Sequence, residues 1–216
     1  MTLQPGSPRY TLGEEFANSI THGVGIMLAI AGLTVLTAFA AVRGEAWHVV
    51  ASAVFGTALI LCYTTSTLYH AIQIQRIKHV LRALDHSAIF LLIAGTYTPV
   101  VLASLPGYWG WSLIASIWAL AVTGIVLRLV LRGRLHGLVV ALYLAMGWAG
   151  LMVIGPMLEI LGAGGLGLIA AGGAAYTVGV VFYRWKSLAY SHAIWHGFVM
   201  LGSALHFFAI LFYVIP

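Results

Sequence analysis

Seven long stretches of apolar residues, almost free of charge, constrain the fold of this chain more than any other feature of its sequence. An α-helix rises 1.5 Å per residue, so roughly 20 apolar residues cross the hydrocarbon core of a bilayer. We therefore predict an all-α integral membrane protein, a seven-transmembrane helix bundle. Its spans are predicted at residues 16–42, 46–70, 84–104, 111–131, 135–156, 165–183 and 192–213.

The composition agrees with a membrane protein of one domain. Only 7% of the 216 residues are charged and 62% are hydrophobic, whereas about 25% of the residues of a soluble protein are charged. The third and fourth spans share one charge-free stretch, which we divide at residues 105–110 because Pro and Gly interrupt helices. We predict a short cytoplasmic lead at residues 1–13 and a single seven-transmembrane domain at residues 14–216. A multi-pass protein of a bacterial inner membrane is expected.

The positive charges predict how the chain is oriented, because Lys and Arg in short loops concentrate on the cytoplasmic side. With seven spans, only Arg43 lies on the side opposite to the N-terminus. We therefore expect a cytoplasmic N-terminus and an extracytoplasmic C-terminus. The net charge of +5 then reflects topology and contact with anionic lipid headgroups, so membrane lipids are the expected partners and nucleic acid is not. The other nine of the ten basic residues, several of them in predicted loops, are Arg9, Arg76, Lys78, Arg82, Arg128, Arg132, Arg134, Arg184 and Lys186.

Ionisable and polar residues gather at the cytoplasmic ends of three predicted spans. His192 and His196 are four residues apart, so in a helix their imidazoles share one face. Ser66 and His70 have the same spacing at the end of span two, and Asp85 opens span three. Because an ionisable residue in a membrane span marks a functional site by default, we expect these five side chains to meet at one depth.

Three histidines without a fourth strong ligand are typical of a catalytic zinc site, in which His70, His192 and His196 would leave one position for water. Imidazole also suits copper, iron or nickel, and zinc is preferred because no soft ligand or second carboxylate accompanies the histidines. Asp85 would then act as a base for that water or orient the site, and Ser66 would donate a hydrogen bond to an oxyanion. The alternative is that these residues only form hydrogen bonds between helices.

Further polar residues are expected beside this cluster. Glu15, Asn18 and His22 follow one face of span one at its cytoplasmic end, where they form either a structural network or part of the functional site. His86 follows Asp85 directly, and we expect its side chain to point away from that carboxylate and to form an orienting hydrogen bond.

Taken together, these motifs resemble the haemolysin III family, the bacterial branch of the progestin and adipoQ receptor superfamily. The resemblance covers nearly the whole chain and implies seven spans, a cytoplasmic N-terminus and a zinc ion held by His70, His192 and His196. Asp85 and Ser66 match further positions shared across the superfamily, which includes alkaline ceramidases. The motifs are Glu15-x2-Asn18-x3-His22-Gly23, Ser66-x3-His70, residues 84–90 leading into Gly95-Thr96-Tyr97-Thr98-Pro99, and His192-x3-His196.

Three functions are compatible with this pattern. The chemistry of the site favours a zinc-dependent hydrolase that cleaves a lipid amide or ester at the inner leaflet. The receptor branch of the superfamily suggests instead a receptor-like sensor for membrane homeostasis, in which zinc is structural. The family name suggests a cytolysin or pore, which we rank last because the apolar spans offer no charged stripe to line a wide aqueous channel.

Overall fold

The computed structural model describes residues 10–105, 107–130 and 136–216, and within these ranges all regular structure is helical. In these ranges, seven α-helices are accompanied by a 3₁₀-helix at Ala149–Val153 and a π-helix at Ile210–Val214. Most of the predicted cytoplasmic lead (residues 1–9, including Arg9), as well as Pro106, Arg132 and Arg134, lie outside the described residues. The helices are α1 (Leu12–Arg43), α2 (Ala46–Ala71), α3 (Gln75–Ser104), α4 (Tyr108–Val130), α5 (His136–Gly147), α6 (Ile154–Arg184) and α7 (Ser191–Ala209).

Six helical segments in the described part of the chain are long and apolar enough to cross a membrane. One of them is the 48-residue segment Gly137–Arg184, which contains most of α5 and all of α6. With 12 residues, α5 alone is shorter than the roughly 20 residues that a crossing needs. Gly162 interrupts α6 with φ 64° and ψ 177°, values that only glycine adopts readily. This interruption lies between predicted spans five and six, and the count of seven spans stays a prediction.

The break after α5 is stabilised by a side chain from α3. The Tyr97 hydroxyl donates to the carbonyl oxygen of Gly147 at 3.0 Å and accepts from the backbone N–H of Gly150 at 2.8 Å. A break at membrane depth is costly unless its backbone groups find such partners. Tyr97 therefore satisfies two backbone groups at the break between α5 and α6.

Helix α3 begins earlier than predicted. It begins at Gln75 rather than near residue 84, so Arg76, Lys78 and Arg82 lie on its first turns and not in a loop. Long basic residues are good helix formers, and at a membrane boundary their charged ends can reach water. The prediction ended the helix where the apolar pattern ended, although the helix itself continues for about two more turns.

Close helix packing brings the polar residues to one end of the bundle. Helix α1 packs against α2 and α7, α2 packs against α3, and α6 packs against α7. At the α1–α2 contact, a Cβ atom on Gly56 would lie 2.6 Å from Cδ1 of Leu33, so only glycine permits this approach. The start of α1, the end of α2 and the start of α7 consequently meet around a buried cluster of histidines.

Candidate metal centre

Three buried histidines form the centre of the site. His70 lies in the last turn of α2, whereas His192 and His196 occupy the first two turns of α7. Each contributes one ring nitrogen to a group whose members all lie within 4.8 Å of one another. The residues are 1%, 7% and 1% exposed, so bulk water does not satisfy their ring nitrogens. The structure therefore brings together the three residues that the spacing singled out.

Glu15 fixes one side of the His70 ring. Nδ1 of His70 lies 2.6 Å from Oε2 of Glu15, which can only accept a hydrogen bond when ionised. The Asn18 amide nitrogen lies 3.4 Å from Nδ1, but it is also a donor and cannot bond to a nitrogen that donates to Glu15. Nδ1 accordingly carries the hydrogen, and Nε2, which is buried and has no partner among the described residues, presents its lone pair.

His196 is held in a similar way by α1. Its Nδ1 lies 3.2 Å from the backbone oxygen of Asn18, an acceptor only, and 3.1 Å from Oγ1 of Thr21. The Thr21 hydroxyl lies 2.9 Å from the carbonyl oxygen of Ala17, to which it can donate, so its oxygen is free to accept from the imidazole. Nδ1 of His196 therefore carries the hydrogen, which leaves the other ring nitrogen available as a ligand.

The three histidines fit a metal ion. An imidazole that donates from one nitrogen to a carboxylate or carbonyl is the usual arrangement of a metal-binding histidine, and two of the three have it. Nδ1 of His192 is buried without a hydrogen-bond partner among the described residues. Buried polar atoms without partners are costly, and a metal ion would satisfy such nitrogens. His70, His192 and His196 could thus bind one.

A cavity of about 450 Å³ adjoins the histidines. His192 and His196 line it together with Ser66 and Asp85, and its remaining wall is mostly apolar residues of α3, α5, α6 and α7. Oγ of Ser66 is buried with no hydrogen-bond partner among the described residues. The structure thus places both predicted catalytic side chains on the same cavity as two of the predicted metal ligands.

The expectation that His86 points away from Asp85 is wrong. Nδ1 of His86 lies 3.3 Å from Oδ2 of Asp85 and 2.9 Å from the carbonyl oxygen of Arg82. Side chains on a helix lean towards its N-terminus, and this tilt carries the ring back along Asp85. The Tyr183 hydroxyl lies 3.4 Å from Nε2 on the other side of the ring, so the His86 ring lies between Asp85 and Tyr183.

The predicted supporting residues on α1 divide into two groups. Glu15 and Asn18 contact His70, whereas the His22 ring stacks on that of His196 at 3.6 Å with an interplanar angle of 13°. Both ring nitrogens of His22 are buried without a hydrogen-bond partner among the described residues. His22 is therefore not part of the hydrogen-bond network that Glu15 forms.

Sequence reasoning missed two residues of the site, Thr21 and Lys78, and misplaced a third, His86. Thr21 lies three residues after Asn18, and this helical spacing could have revealed it. His86 was considered and placed wrongly. Lys78, whose Nζ lies 2.6 Å from Oε1 of Glu15, carried no signal, because the sequence placed it in a loop.

Comparisons with known proteins identify the family of this chain. A family model described as "Haemolysin-III related" matches residues 10–207. The chain is 46% identical to Hemolysin-3 of Bacillus cereus, over 94% of this chain and 93% of that protein. It is 44% identical to the Hemolysin-3 homolog of Bacillus subtilis (strain 168), over 95% and 97%.

A more distant relative extends the similarity beyond bacteria. The human Monocyte to macrophage differentiation factor is 28% identical over 97% of this chain and 89% of that protein. With six membrane-length helices in its described part, the chain is a multi-pass membrane protein. Because the family match covers most of the sequence, the chain belongs to the haemolysin III-related family.

Proposed function

We propose that this protein is a zinc-dependent hydrolase that cleaves a lipid amide or ester at the inner leaflet of a bacterial membrane. The observation that carries the proposal is a cluster of three buried imidazoles, two of which line a mostly apolar cavity. Among the described residues, one ring nitrogen of His70 and one of His192 have no hydrogen-bond partner. Such a cavity suits the hydrocarbon part of a lipid, whereas the polar residues cluster at one end. Membrane lipids are the proposed partners, and no nucleic acid is involved.

His70, His192 and His196 would hold the zinc ion. A zinc ion bound by three histidines keeps a fourth position for water and lowers the pKa of that water to about 7. Asp85 would accept a proton at its carboxylate, whose position the His86 ring maintains from 3.3 Å. Ser66 would donate its hydroxyl hydrogen to the oxygen that develops negative charge on the substrate. Its buried Oγ has no partner among the described residues, so no hydrogen bond would have to break first.

The proposed topology has seven spans with the N-terminus in the cytoplasm. The 48-residue segment Gly137–Arg184 would measure about 72 Å as one helix, more than twice the bilayer core of about 30 Å. The irregular backbone at residues 148–153 and at Gly162 supports two crossings there. This topology places His70, Asp85 and His192 at the cytoplasmic boundary.

Lipid mass spectrometry tests the activity. The wild-type protein and the double variant His192→Ala, His196→Ala would be incubated in vesicles prepared from bacterial lipids. We expect a hydrolysis product, a free fatty acid with its amine or alcohol, with the wild-type protein alone. His48→Ala serves as the control, since His48 is also buried but lies at the opposite end of α2. Equal amounts of product from the wild-type and the double variant would contradict the proposal.

A second candidate function is a receptor-like sensor of membrane state in which zinc is structural. Structural metal sites have no coordination position open to a substrate, and among the described residues the cavity is lined by His192 and His196 but not by His70, which favours this alternative. A protein that binds zinc and alters membrane composition in cells, yet releases no product from any lipid in vitro, would select the sensor. A cytolytic role, which the names of the Bacillus relatives suggest, remains the third candidate.

A further inference from the structure

Lys78 completes a closed circuit of hydrogen bonds that begins and ends at His70. Its Nζ donates to Oε1 of Glu15 at 2.6 Å and to Oε1 of Gln73 at 2.9 Å. The Gln73 amide nitrogen donates in turn to the backbone oxygen of His70 at 2.7 Å. The second Glu15 oxygen accepts from the His70 ring at 2.6 Å. One lysine on α3 thereby connects α1 with both the backbone and the imidazole of a metal-binding candidate on α2.

The two oxygens of Glu15 have different partners, and this division fixes the carboxylate. The terminal torsion of a glutamate is broad and has no sharp preference of its own. Lys78 on Oε1 and His70 on Oε2 together allow one rotation of the group. Without the lysine, the carboxylate could turn away from Nδ1 of His70.

Lys78 also compensates the charge of a carboxylate that has little access to water. Glu15 is 5% exposed, and a buried charge is costly unless it is paired and hydrogen-bonded. Among the described residues, Lys78 is the one Lys or Arg within 4.0 Å of Glu15. The side chain of Lys78 is itself only 16% exposed, so water screens this pair less than it screens an ordinary surface pair.

We propose that Lys78 is a positioning residue of the metal centre, which acts through Glu15 to hold the His70 ring in its ligating orientation. This inference rests on the proposed metal site, although it does not require catalysis. Loss of a group that orients a metal ligand typically lowers metal affinity by about 10–100-fold. Lys78 contacts the His70 imidazole only through Glu15. We therefore expect its loss to lower zinc affinity by a factor at the lower end of that range.

Zinc affinity of the full-length protein in detergent tests the inference. The metal-free protein would be titrated with Zn²⁺ against a competing chelator. Lys78→Met should weaken binding about 10-fold, and Lys78→Arg, which keeps the charge, should restore most of the affinity. Arg76→Met is the matched control, because Arg76 lies on the same first turns of α3 and is exposed. Its affinity should equal that of the wild type.

A double-mutant cycle determines whether Lys78 acts through Glu15. Glu15→Gln should weaken zinc binding, and adding Lys78→Met to it should cause no further loss. Equal zinc affinity in Lys78→Met and the wild type would overturn the inference and leave the metal site intact. Full additivity of the two losses, or no rescue by Lys78→Arg, would also overturn it. A wild-type protein that does not bind zinc would overturn the proposed site and the inference together.

A different variant tests the inference if Lys78→Met does not fold. Gln73→Ala removes the hydrogen bond from the Gln73 amide to the His70 backbone oxygen and leaves the Lys78–Glu15 pair in place. It should weaken zinc binding by a smaller factor than Glu15→Gln does. A loss of zinc affinity in Gln73→Ala as large as that in Glu15→Gln would contradict the inference that Lys78 acts through the Glu15 carboxylate.

Discussion

The Asp85→Asn variant tests whether Asp85 acts as a general base or only shapes the cavity. The substitution keeps the volume and planarity of the side chain and removes its charge. The asparagine oxygen can still accept from Nδ1 of His86, which lies 3.3 Å from Oδ2 of Asp85. The side chain should therefore keep its place, so that a change in rate reports the missing carboxylate.

The expected loss follows from the role of a general base. Removing one typically lowers the rate by 10²–10⁴-fold, which corresponds to about 3–5 kcal/mol in the activation free energy. Zinc should remain bound, because the group of mutually close ligand atoms consists of His70, His192 and His196 and does not include Asp85. The Asp85→Asn variant should thus bind zinc normally and hydrolyse lipid very slowly.

Product release and zinc content would be measured on the same preparation. Glu159→Gln is the control, since Glu159 is an exposed carboxylate on α6 and should change neither quantity. A wild-type rate of hydrolysis in Asp85→Asn would refute the reasoning. Loss of zinc together with activity would instead show that Asp85 is a metal ligand.

Three further predictions concern topology, packing and ligand orientation. Alkaline phosphatase fused after Pro216 should be active, because seven spans place it outside the cytoplasm; an inactive fusion would mean a wrong span count. Gly56→Ala should lower the free energy of unfolding by about 1–3 kcal/mol through overpacking, measured by thermal denaturation, whereas Gly23→Ala, with nothing within 4 Å, should not. Thr21→Val should weaken zinc binding about 2–10-fold, the value of one hydrogen bond, because a backbone carbonyl still orients His196.

The sequence was most informative where a periodic pattern carried the chemistry. His192 and His196 share a helix face by spacing alone, and the positions of His70 and Asp85 at span ends predicted one depth. The structure brings the three histidines together. Apolar runs long enough to cross a bilayer predicted the all-helical fold, because backbone polar groups in lipid must be satisfied within the helix.

Contacts between helices could not be predicted in the same way. Periodicity gives the face of a residue but neither the rotation of one helix against another nor the rotamer of a side chain. His86 reaches Asp85 only through its tilt along the helix, and Lys78 reaches Glu15 only because α3 begins at Gln75. Both contacts depend on local geometry that the apolar pattern does not encode.

Zinc content is the measurement that tests the central claim most directly. Purified wild-type protein, the three single variants His70→Ala, His192→Ala and His196→Ala, and the control His48→Ala would be analysed by elemental mass spectrometry. A ligand at a thousandfold excess over its Kd stabilises the folded state by about 4 kcal/mol, so thermal unfolding of the same samples gives a second readout. We expect one zinc per chain in the wild type and the control, and loss of both zinc and that stabilisation in each variant. Full zinc occupancy in all three variants would contradict the claim that these histidines form a metal centre.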